Sequence, residues 1–180
     1  GNRDIDADGG WIQRMIGGSY ATIYQEHAIQ IAQYVGSPTI WRFDIVEKNR
    51  GCGLSPYGVS ALGRVHFYLA HDGFFLFDGA ESHPIGDGKV NKYFFDNANA
   101  SFYFRMCSAI EPEFQMVMWA FVTKSAAGSN PNPDRVLLYH WPSGWWAFAN
   151  VTVEWLFHDL SKGLTLDQLD TIDTSVDALP

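Results

Sequence analysis

The stretch that decides the fold is Val65-His66-Phe67-Tyr68-Leu69-Ala70, His71-Asp72-Gly73, Phe74-Phe75-Leu76-Phe77, Asp78-Gly79. Two β-branched and aromatic runs flank an Asp-Gly turn, and a second Asp-Gly stops the latter run. Turns of this kind need φ > 0 where glycine meets no steric penalty, so the pattern predicts a hairpin. Ser82-His83-Pro84-Ile85-Gly86 then supplies a short third strand.

The same order recurs on both sides. Upstream, Tyr20–Gln25 runs into a polar turn at Glu26-His27. Ala28–Val35 alternates as a half-buried strand should, Gly36-Ser37-Pro38 breaks it, and Thr39–Val46 alternates again. Downstream come the apolar run Phe114–Val122, a loop over Lys124–Asp134, a strand at Arg135–Trp141, a turn at Pro142-Ser143-Gly144 and a strand at Trp145–Ala149. A further candidate strand precedes each copy, at Ile12–Ile16, Val59–Leu62 and Phe102–Ala109. Taking Thr22, His66 and Val117 as equivalent gives spacings of 44 (66 − 22) and 51 (117 − 66) residues.

A four-stranded antiparallel unit repeated every 40–50 residues or so marks a β-propeller blade, which has two apolar faces and must stack to bury them. The expectation is an all-β chain of propeller-like repeats, with a β-sandwich as the alternative. The repeats fall at about 11–46, 58–86 and 101–150, with an extra strand at 151–157, in one domain over 1–160. An acidic arm follows over 161–180. Three copies are fewer than the roughly four to eight that close a ring, so other segments or subunits are expected to complete it.

Composition sets the limits. The chain has 180 residues, 47% hydrophobic, 16% aromatic and 18% charged, enough apolar surface for one well-cored domain. Its formal charge of −8 opposes a surface built to grip phosphates. No run approaches the ~18 apolar residues of a membrane span, and no signal peptide opens the sequence. Cys52 and Cys107 have no context that requires pairing and are read as buried thiols.

Catalytic and metal signatures are weak. His27, His66, His71, His83, His140 and His158 show no helical ligand spacing, and there is no Cys-x-x-Cys. Asp4, Asp6, Asp8 and Gly9 resemble the start of a Ca²⁺ loop, but Met15 stands where the bidentate Glu belongs. Neither a nucleophile elbow nor a phosphate loop occurs. No cofactor, metal or catalytic residue is expected. Trp41, Trp119, Trp141, Trp145, Trp146 and Trp155, with Trp11, are assigned to packing between blades or subunits, and Asp72, Gly73, Asp78, Gly79 and Gly144 to turns.

The segment Asp72–Gly79 with Pro84-Ile85-Gly86 resembles one common in tailed-phage virion proteins. So do Tyr34–Pro38 with Phe43-Asp44, Arg50–Gly53 and Ser60, then Leu137–Trp141 with Gly144-Trp145-Trp146, and the ending Leu166–Asp170 with Ser175–Pro180. The chain resembles the propeller-like tail hub or nozzle proteins of short-tailed bacteriophages, of the tail tubular protein B and DNA-stabilisation kind. The resemblance implies a non-enzymatic virion tail component, a homo-oligomeric ring beside other tail or portal-proximal proteins, and DNA that passes without tight binding and without a membrane partner. An acidic lumen would repel phosphate. A carbohydrate- or receptor-binding β-domain and a propeller-type hydrolase are the competing expectations.

Overall fold

The computed structural model describes residues 9–157. Among them, strands β1 (Ile12–Ile16), β2 (Ala21–Gln25), β3 (Ala28–Gly36) and β4 (Ile40–Lys48) form a first antiparallel sheet. A second contains β5 (Ser60–Leu62), β6 (Val65–Ala70), β7 (Gly73–Phe77) and β8 (Ser82–Pro84). The third contains β9 (Cys107–Glu111), β10 (Met116–Phe121), β11 (Arg135–His140) and β12 (Trp145–Ala149). Each sheet is a meander in chain order, the pattern of a propeller blade.

The sheets stack in sequence because the middle one is apolar on both sides. On β6, Tyr68 and Ala70 face the first sheet while Phe67 and Leu69 face the third. On β7, Phe75 and Phe77 face the first sheet and Phe74 faces the third. Tyr24, Ile29, Cys52 and Val59 complete the first interface; Val117, Trp119, Phe121, Leu137 and Tyr139 complete the second. A strand buried on both faces reads as a continuous apolar run, which is why Val65–Ala70 shows no alternation. At roughly 1.5–3 kcal/mol per fully buried large side chain, these two interfaces carry the fold.

Trp119 ties the second interface by polarity as well as packing. Its Nε1–H donates to the Gly58 carbonyl at 2.8 Å, and its ring lies 4.8 Å from that of Phe74. Between sheets one and two, Gly51 crosses the end of β2 so closely that a Cβ there would sit 2.1 Å from the Gln25 carbonyl oxygen. Only glycine permits that approach.

Three sequence expectations are corrected. Phe102–Ala109 is not one strand: a 3-10 segment occupies Ala100–Arg105, and β9 begins at Cys107. Val151–Phe157 joins no sheet; Val153 and Leu156 instead lie on the far face of the third sheet, against Cys107, Ala120 and Val136. The repeat alignment is also one residue out in the first copy. His66 and Val117 face backward along the stack, whereas Thr22, like Tyr24, faces forward, and a one-residue slip reverses the face of a strand. A short helix, α1 (Asn91–Asn97), was not anticipated. It packs Phe94 into the core shared by the second and third sheets. The acidic arm 161–180, His158 and Asp4, Asp6 and Asp8 lie outside the described residues.

Candidate functional site

The histidines disperse rather than converge. His66 is 3% exposed, between the first two sheets, with Nδ1 3.0 Å from the Tyr24 hydroxyl. Burial lowers its pKa from 6.5 to about 4, partly offset by the Gly63 carbonyl that accepts from the ring. The ring is therefore neutral at pH 7, with Nδ1 accepting from Tyr24. Burial also keeps the Tyr24 phenol protonated, pushing its pKa well up. This pair is a satisfied structural contact. His27 and His71 meet edge to face in neighbouring turns, and His140 Nδ1 lies 2.6 Å from the Ser143 hydroxyl.

His83 is the exception. With Asp78 and Glu81 it forms the group of potential metal ligands found among the described residues, their donor atoms all within 4.8 Å of one another. His83 Nε2 is 3.1 Å from Asp78 Oδ2 and 3.7 Å from Glu81 Oε1. The Asp78 carboxyl is held down to about 2 chiefly by the Glu81 N–H, then by His83 and the Ala80 N–H. All three side chains are exposed, and the turn's own hydrogen bonds account for their geometry. No motif in the sequence marks the grouping, because Asp78 reads as a turn residue and His83 shows no ligand spacing with the other histidines.

The two cysteines are free and buried, as expected. Burial pushes the Cys52 thiol up to about 12, so no thiolate nucleophile is available there at neutral pH.

A groove of about 660 Å³ lies between α1 and β12. Val90, Leu137 and Trp146 floor it, with Tyr93, Trp145 and Phe148 also lining it. Tyr93 and Phe148 stack at 5.3 Å, and the Arg135 guanidinium covers the Phe148 ring at 5.3 Å. Several polar groups of the lining are already engaged. Lys89 Nζ donates to the Gly144 carbonyl, Trp146 Nε1–H donates to the Ile85 carbonyl, and the Ser143 hydroxyl bonds His140. No carboxylate lines the groove. Such a lining accepts apolar or aromatic groups and offers little to a polar substrate.

The tryptophans divide accordingly. Trp119 is fully buried, and Trp141 and Trp146 pack against the same core. Trp41, Trp145 and Trp155 are 51%, 77% and 48% exposed, and Trp11 is also open, so these four do not pack into the core. Trp155 meets the Tyr57 ring edge to face. Among the turn residues, Gly79 and Gly144 take the positive φ expected of them, and Gly73 does so as the first residue of β7. Nothing in the sequence marks Tyr93 or Lys89, because α1 is too short to show a helical period and Lys89 lies in the turn before it.

No helix among the described residues is long and apolar enough to cross a membrane. Compared with known proteins, the chain matches no family model and no curated protein sequence.

Proposed function

We propose that this chain is a structural, non-enzymatic segment of a short-tailed phage tail, contributing stacked blades to the ring through which the genome leaves. The observation that carries the reading is the asymmetry of burial. The middle sheet is covered by a sheet on each face, whereas the first sheet has a sheet on one face only, and the third, whose other face is crossed by Val153 and Leu156, leaves Trp145 and Phe148 of β12 in solvent. A repeat module with unshared end surfaces gains stability from further protein. The satisfied His66–Tyr24 pair and the high Cys52 pKa fit a scaffold rather than a catalyst. The −8 charge fits a wall that lets DNA slide without ion pairing.

The test combines particles and solution. Peptides of this chain should be found in purified virions, with antibody labelling at the tail, and the protein should self-associate in sedimentation. Absence from particles, together with a strict monomer over a wide concentration range, would refute the proposal. The aromatic groove favours a second reading, a receptor-binding domain that takes a glycan. Lys89, Ser143 and the Trp146 indole are already engaged, and no carboxylate lines it, which weighs against a sugar. A shift of tryptophan fluorescence on a glycan panel would restore that reading.

A further inference from the structure

The β3–β4 hairpin outgrows its sheet. The last β2–β3 pair is Ala21 with Ala32, yet β3 and β4 continue through Gln33–Arg42, Tyr34–Trp41 and Gly36–Ile40. Four residues beyond Ala32, at about 3.3 Å each, project a two-stranded ribbon by roughly 13 Å. Its end is apolar and open, with Tyr34 66%, Val35 46%, Ile40 51% and Trp41 51% exposed. From Ala28 to Trp41 no residue carries a formal charge. The first charges met, Arg42 and Asp44, pair with each other at 2.7 Å.

The α1–β12 groove has the complementary character, being concave, aromatic and free of carboxylates. Knob and hole sit on the first and third sheets, at opposite ends of the stack, with the second sheet between them. We propose that the β3–β4 hairpin of one copy inserts Tyr34 and Trp41 into the α1–β12 groove of the next, joining copies head to tail.

Charge favours this occupant. Two copies each carrying −8 repel at long range, and a contact between an uncharged tip and a groove without carboxylates adds no local like-charge pair to that repulsion. The four tip side chains offer roughly 450 Å² of exposed surface, hence about 900 Å² over both partners, just under the ~1,000 Å² of a stable pair. One contact alone is therefore weak. Because knob and hole are different surfaces, each copy can make two contacts, and ring closure adds the avidity that a single pair lacks.

The inference rests on the assembly reading above, and complementary variants separate their failures. Y34S/W41S removes the knob. A147E places a carboxylate at an exposed groove-lining position without deleting core packing. Circular dichroism melting checks that both variants fold, and F148S stands in if A147E does not. In sedimentation velocity from about 1 to 100 µM, a range suited to weak contacts, wild type should grow with concentration and each variant should stay monomeric. An equimolar mixture of the two variants retains one good knob and one good hole, so it should form two-chain particles and nothing larger. Wild-type assembly that persists in Y34S/W41S, or a mixture that stays monomeric, overturns the head-to-tail contact while leaving assembly intact. A wild-type monomer at every concentration overturns both. Flotation of wild type on phosphatidylcholine vesicles, lost in Y34S/W41S, would assign the knob to lipid and overturn the inference.

Discussion

Replacing His66 with Asn should erase one component of the protein's acid sensitivity. In the folded chain burial holds the ring neutral until about pH 4, against 6.5 for the free side chain. A folded pKa below the unfolded one means that the unfolded chain binds the extra proton first. The contribution of the neutral ring is therefore complete above pH 6.5, is lost progressively as pH falls, and is gone below about pH 4. The difference corresponds to at most about 3 kcal/mol, with a slope near 1.2 kcal/mol per pH unit around pH 5. Asn offers Tyr24 an acceptor but has no proton to gain. It also forfeits the ring contacts with Tyr24 and Phe77, at a pH-independent cost of roughly 1–2 kcal/mol. Urea unfolding followed by tryptophan fluorescence at pH 8, 6, 5 and 4 measures both forms. Wild type should lead at pH 8, and the variant should draw level or overtake it by pH 4. Other titrating groups are common to the two proteins and cancel in the difference. A gap that stays constant from pH 8 to pH 4 would refute the assignment of His66 as a buried neutral ring.

Three further outcomes follow from the packing. Trp119→Phe leaves the Gly58 carbonyl buried without its donor and opens a void, and should cost about 2–4 kcal/mol in chemical denaturation; a loss below 1 kcal/mol would contradict the bond. Gly51→Ala forces a methyl onto the Gln25 carbonyl, and should lower stability by roughly 3 kcal/mol or more or prevent folding, whereas an unchanged melting temperature would show that this crossing is loose. Neither thiol should react rapidly with an aromatic disulfide reagent at pH 8 in native protein, and both should react in denaturant; fast native labelling of Cys52 would disprove its burial.

The strands were legible because each carries its own signal. β1 and β12 occupy the spans their side-chain patterns mark, and the turn at His71-Asp72 joins the hairpin that Asp72-Gly73 announced. What failed were the places where tertiary contacts outrank local preference. Ser101-Phe102-Tyr103-Phe104 has strong β character yet coils, because Tyr103 stacks on Phe94 of α1 rather than pairing with a neighbour. α1 spans seven residues with no side-chain N-cap, too short for helical periodicity to show. In Val151–Phe157 the alternation misleads: Val153 and Leu156, three residues apart, turn inward while Val151, Trp155 and Phe157 stay exposed, so the segment crosses a sheet face without a strand's period. The groove was hidden for a related reason. Its walls come from α1 and from strands more than forty residues further along the chain, and no local pattern joins them.

That crossing segment has a further consequence. Val153 N–H holds the Pro133 carbonyl at 2.9 Å, and Leu156 sits over Cys107, so the ribbon occupies the berth that a fourth blade would take. It acts as a stopper. Any protein that sought to continue the array face to face at that end would first have to peel it away, exposing Ala120 and Val136 to water before gaining anything in return. Under the proposed assembly, growth at that face would be gated by the chain itself, and the flank beside β12, which needs no such unzipping, would be the easier berth.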